Sequence, residues 1–146
     1  MGHYLTDNIM VDVIQAGIAA GQATTASDNI DMSGWDGVLI IGSAGTITGS
    51  GTATLTVGQA ATDTTPDALT SAEAVFSTST DSNKIVLIDI LHPLDRYIGT
   101  SLVTATANVV WNGTLAIRYR GRAVPTTMTS GDMADTLVQL LKPAEA

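Results

Sequence analysis

Three arginines, Arg118, Arg120 and Arg122, occupy every second position of "TLAIRYRGRAVP" (residues 114–125) in a chain of 146 residues with a formal charge of −8. Guanidinium forks bind carboxylates and phosphates through paired, directional hydrogen bonds, so a row of them suits docking. In an extended strand, residues i, i+2 and i+4 share one face. The spacing therefore predicts that the three arginines project together, with Leu115, Ile117 and Tyr119 turned to the core. Imidazole chemistry is restricted to His3 and His92, and His92 has Asp89 and Asp95 three residues to either side. That trio comes nearest to a metal cluster, but a strand end at "LHP" with polar residues facing water explains it without a metal.

Other chemistry finds no support. No "GxSxG" elbow marks a serine nucleophile. The glycine-rich "GSAGTITGSGTATLTVG" fits neither the phosphate loop nor the dinucleotide fingerprint and reads as turns. The Asp-rich turns lack the ordered "DxDxDG" calcium loop. With no cysteine present, thiolate metal sites, cysteine nucleophiles and disulfides are excluded. No catalytic residue, cofactor or metal ligand is assigned, and an enzyme is not expected.

Composition narrows the partners. Six Lys and Arg stand against 14 Asp and Glu, too few cations to neutralise a run of phosphates, so nucleic acid is not expected as a partner. The protein carboxylates of a neighbouring subunit are the better partners for the arginine row. No run approaches the ~18 apolar residues of a membrane span. "MGHYLTDNIM" lacks the basic and apolar regions of a signal peptide. Gly2 and Thr6 match the short myristoylation pattern, which carries little weight alone. A soluble protein without a membrane partner is the expectation.

The elements that must position these residues read as short strands. "NIMVDVIQ" (8–15) is a strand or an arm on a neighbour, and "AGIAAGQATTASD" reads as a flexible connector. "VLIIGSA" is apolar without interruption, as in a strand buried on both faces. In "GTATLTV", Ala53, Leu55 and Val57 alternate with Thr52, Thr54 and Thr56, the mark of a half-buried strand. "ATDTTPDALTSAEAVFSTSTDSN" reads as a long polar loop with one helical turn near Pro66. "KIVLIDI" (84–90) is a further buried strand ended by Pro93. Asn112-Gly113 is a hairpin-turn signal, with "TLAIRYRGR" returning. Met133, Leu137, Leu140 and Leu141 have helical spacing, although an extended arm serves equally well. Together these predict an all-β, single-domain antiparallel β-sandwich or jelly-roll-like barrel. Residues 1–27 form an arm or first strand plus connector, 28–125 the body, and 126–146 a C-terminal arm or short helix.

The order of segments adds a family resemblance. "DNIDMSGWDGVLII", "GTATLTV", "NKIVLIDILHPLDRYIG" and "WNGTLAIRYRGRAVPTT" together resemble small tailed-bacteriophage virion proteins of the head, some of which are decoration (cement) proteins. The likeness runs from about Asp28 to Thr127. It implies a body that oligomerises, often as a trimer, on the outer surface of the capsid, with the major capsid protein and further copies of itself as partners. Arg96 and Tyr97 match the family's Arg-Tyr pair and join Arg118, Arg120 and Arg122 as expected interface residues. Gly99 departs from the pattern, standing where a larger or basic residue is expected. Two alternatives remain open at this point: a head–tail or tail-tube protein, and a carbohydrate-binding sandwich using exposed Trp35 and Trp111.

Overall fold

The computed structural model describes residues 5–121. His3, Arg122 and the segment 126–146, with its arm-or-helix reading, lie outside the described residues.

Among the described residues, ten strands form two antiparallel sheets packed face to face. The first sheet contains β1 (Ile9–Gln15), β2 (Ile18–Gly21), β5 (Trp35–Ile47), β8 (Ile85–Leu91) and β10 (Val109–Gly121), in the order β1-β10-β5-β8 with β2 also beside β10. The second contains β3 (Thr24–Ala26), β4 (Ile30–Asp31), β6 (Thr52–Ala60), β7 (Asp67–Ser77) and β9 (Tyr97–Ala105), ordered β3-β9-β6-β7 with β4 beside β9. The protein is an all-β sandwich. The sheets do not close on each other, so of the two architectures expected the sandwich, and not the barrel, is present.

Alternation in β6 falls as the sequence indicates: Ala53, Leu55 and Val57 are fully buried, while Thr52, Thr54 and Thr56 are half-buried. They pack against Val38, Ile40 and Ala116 of the first sheet and Ile98 and Leu102 beside them in β9. Trp111 on β10 meets Phe76 on β7 edge to face, with ring centroids 5.6 Å apart, and so ties the two sheets. Its indole N–H donates to Thr114 Oγ1 at 3.0 Å, and that hydroxyl donates to Gln15 Oε1 at 3.0 Å. This buried polar chain satisfies groups that would each cost about 1–3 kcal/mol if stranded.

Several local readings are corrected. Asn112-Gly113 makes no hairpin. β10 runs straight through it, and register shifts against β5 between Trp111 and Gly113 mark an irregularity of the bulge type. Gly113 takes φ +137°, a conformation other residues rarely adopt. The supposed polar loop around Pro66 contains β7, an 11-residue strand paired with β6. The supposed flexible connector supplies β2 and β3 and carries the chain from one sheet to the other. Of the two readings of residues 8–15, the strand is the one seen, paired with β10. β8 is not buried on both faces: it lies at the edge, with Ile85, Leu87 and Leu91 at 61%, 56% and 50% exposure.

A candidate interaction surface on the first sheet

The bulge inverts the expected orientation of β10. With one extra residue at Asn112-Gly113, Trp111 and Thr114 both point inward although they are three apart, and Ala116 follows Thr114 into the core. Leu115, Ile117 and Tyr119 are therefore on the outward face, and Arg118 is on the inward one. The expected assignment of that strand is reversed.

Arg118 consequently serves the sandwich itself. Its Nε and Nη2 donate to the two carboxylate oxygens of Asp12 on β1 at 3.0 and 3.1 Å. Its Nη1 donates to the backbone carbonyl of Asp31 on β4 at 2.9 Å, bridging the first sheet to the second. The guanidinium lies 5.4 Å from the ring centroid of Trp35. Only 15% of the side chain is exposed, and each guanidinium nitrogen donates one bond within the chain.

Arg96 and Tyr97 meet the same residue from the other side. Arg96 grips the Asp31 carboxylate with Nε at 2.9 Å and Nη2 at 2.6 Å, and its guanidinium is 5.3 Å from the Tyr97 ring centroid. The backbone N–H of Ser33 donates to Asp31 Oδ1, and Met32 N–H donates to the Arg96 carbonyl. The Arg96 fork, then the Ser33 N–H, hold the Asp31 carboxyl down to about 2; the same contact pushes the Arg96 guanidinium upward. "IDMSG" is thus a clasp that closes one end of the sandwich, a role the sequence reading left unassigned. Arg120, by contrast, is exposed at φ +54°, and Arg122 lies outside the described residues. Of the two arginines described, Arg118 is turned inward and paired while Arg120 is exposed, so these two do not present one shared docking face.

The outward face of the first sheet is apolar instead. Cross-strand registers align Val13, Leu115, Ile41 and Leu87 in one row, and Val11, Ile117, Leu39 and Asp89 in the next. Val13 and Leu115 are 41% and 37% exposed. The next row sets Tyr119 opposite Gly37, where the phenol ring occupies the space a Cβ would need. The Tyr119 hydroxyl donates to Asp89. Burial first, and the Asp89 carboxylate second, push that phenol up to about 12. A free antiparallel sheet face is ordinarily polar; large contiguous apolar faces mark association sites.

The remaining candidates are placed as follows. His92 is exposed at the strand end with φ +54°, Asp89 is engaged by Tyr119, and no group of three potential metal ligands exists among the described residues. Trp111 is 1% exposed in the core and Trp35 is half-buried beneath Arg118, so the pair expected to be exposed forms no sugar-stacking platform. A cleft of about 310 Å³ on the second sheet, between Thr24, Pro66, Gly99 and Thr100, is lined by hydroxyl, aliphatic and backbone groups without a titratable side chain.

No family model matches the chain, and no curated protein does. Among solved structures, a chain described under "Bacillus endospore appendages form a novel family of disulfide-linked pili" is similar at 13% identity and a TM-score of 0.44, covering 77% of this chain and 88% of that one.

Proposed function

We propose that the protein is a structural, non-catalytic component of a bacteriophage head, a decoration (cement) protein that binds the outer capsid surface and bridges capsid subunits. The observation that carries this is the outward face of the first sheet. Val11, Val13, Leu39, Ile41, Leu115 and Ile117 form a continuous apolar surface whose two central rows hold a single carboxylate, Asp89. Such a face gains roughly 25 cal/mol per Å² of apolar area when a partner covers it, and an acidic chain meets a capsid there with little charge to desolvate. The order of "IDMSG", "P-x-x-R-Y" and "AI-x-Y" segments supplies the capsid as that partner. Several copies acting together would hold neighbouring capsid subunits through high effective concentration.

The test is co-sedimentation of the purified chain with undecorated heads of its parent phage. Saturable binding and a higher melting temperature of the shell are expected. Leu115→Lys should abolish binding while leaving the chain's own melting temperature within a few degrees. Failure of the wild-type chain to sediment with the shells overturns the proposal. Rings in place of shell binding would favour the head–tail reading.

A further inference from the structure

The edge strand β8 has a geometry that the capsid reading does not use. His92 N–H donates to the Asp36 carbonyl, and Ala44 N–H to the Lys84 carbonyl. With the β5–β8 register running unbroken from Gly37↔Leu91 to Ser43↔Ile85, these bonds fix which residues face β5: the even-numbered ones. The N–H and C=O groups of Ile85, Leu87, Asp89 and Leu91 therefore point to the open side, because paired groups alternate along an antiparallel strand. Among the described residues no strand pairs there.

Natural sheets guard such edges with bulges, prolines, lysines or inward charges. β7, the corresponding edge of the second sheet, has a register break near Gly58, Ser71 at φ +66°, and the acidic residues Asp67 and Glu73. β8, "IVLIDIL", has no proline, no lysine, no bulge and one charge, Asp89.

We propose that β8 is the site at which a second copy of this chain joins, strand to strand and antiparallel, about a two-fold axis at Ile88. The sequence favours that register over its neighbours. Centred on Ile88, Ile85 lies opposite Leu91 of the second copy and Leu87 opposite Asp89, so all four open residues find partners in about eight backbone hydrogen bonds. Centring on Asp89 would set the two aspartates face to face, which like charges oppose, and would leave Ile85 unpaired. Centring on Leu87 would leave Leu91 unpaired. In the Ile88 register the apolar side chains meet apolar ones except at Asp89, whose carboxylate is already bonded to Tyr119. Two chains of charge −8 approach along a strand that carries a single charge, Asp89. Strand addition at an open edge is a recurrent mode of association, and here it joins both first sheets into one, with their apolar faces continuous.

This inference stands apart from the capsid reading, since it concerns the chain in isolation and yields a dimer where the family resemblance implies a trimer. It is tested by light scattering on the full chain, without capsids. A mass of two chains is expected. Leu87→Pro should give single chains with an unchanged circular dichroism spectrum, because the N–H it removes points away from β5. Ile85→Lys with Leu91→Lys serves the same purpose should the proline variant not fold. Ile88→Cys, in a chain without cysteine, should cross-link to itself under mild oxidant, since non-hydrogen-bonded antiparallel partners lie at about 4.5 Å between Cα atoms, within disulfide reach. Single chains at all concentrations, a trimer unaffected by these substitutions, or pairing seen only once residues 122–146 are removed would each overturn it.

Discussion

Replacing Arg118 by alanine discriminates between an arginine that docks partners and one that holds the sandwich. The side chain makes two bonds to Asp12, one to the Asp31 carbonyl, and a stacking contact on Trp35. Its removal leaves the Asp12 carboxylate, 22% exposed, without its cation, and the Asp31 carbonyl without this donor. Breaking a fully buried ion pair costs about 3–5 kcal/mol, and hydrogen bonds to charged groups contribute about 1.5–3 kcal/mol each. Partial solvent access lowers these figures, so R118A should cost about 2–4 kcal/mol. For a domain of this size, that is a fall of about 5–15 °C in melting temperature. Urea melts followed by tryptophan fluorescence measure it, and Trp35 lies directly under the guanidinium. A double-mutant cycle with Asp12→Asn should return a coupling of about 1–3 kcal/mol. Arg120→Gln, at an exposed position, should stay within about 0.5 kcal/mol of wild type. If R118A were as stable as wild type while lowering the oligomer mass, Arg118 would be an inter-subunit residue and the clasp would be refuted.

Thr114→Val keeps the shape but strands the Trp111 N–H and one end of Gln15, and should cost about 1–3 kcal/mol in chemical denaturation. Asp31 has its carboxyl lowered from 3.8 to about 2. Its contribution is therefore present above about pH 4 and is lost as pH falls toward 2; solvent screening holds it below about 1 kcal/mol, and Asp31→Asn should flatten that part of the acid limb. Tyr119 titrates near 12 instead of 10, so its contribution is complete below pH 10 and is lost as pH rises toward 12. Absorbance at alkaline pH should show a late-ionising component that Tyr119→Phe removes. Gly37→Ala drives a methyl into the Tyr119 ring and should cost about 1–3 kcal/mol, with Tyr119→Ala restoring part of the loss in the double variant.

Some of this was legible in the sequence for identifiable reasons. β6 has strict alternation, with threonines on one side and aliphatics on the other, and no bulge interrupts its pairing with β9 from Thr52 to Ala60. In such a strand, periodicity alone separates inside from outside. β10 defeats the same reasoning. Both of its faces carry apolar residues, and the irregularity at Asn112-Gly113 shifts the parity by one, so Leu115, Ile117 and Tyr119 resemble core residues while lying outside. β7 was missed because its burial pattern is mostly exposed, and an edge strand needs few apolar residues to pair on one side.

The sequence by itself determined that the chain is built of strands, is acidic, lacks thiol chemistry, and places arginines near the end of its last described strand. Those are properties of composition and local period. Only the tertiary structure decided what the arginines do. Arg118 and Arg96 are 22 positions apart, yet they converge on Asp31 because β10 and β9 belong to different sheets that meet at that end of the sandwich. An ion pair depends on where folding brings distant charges. A residue's alternation along one strand carries no record of that.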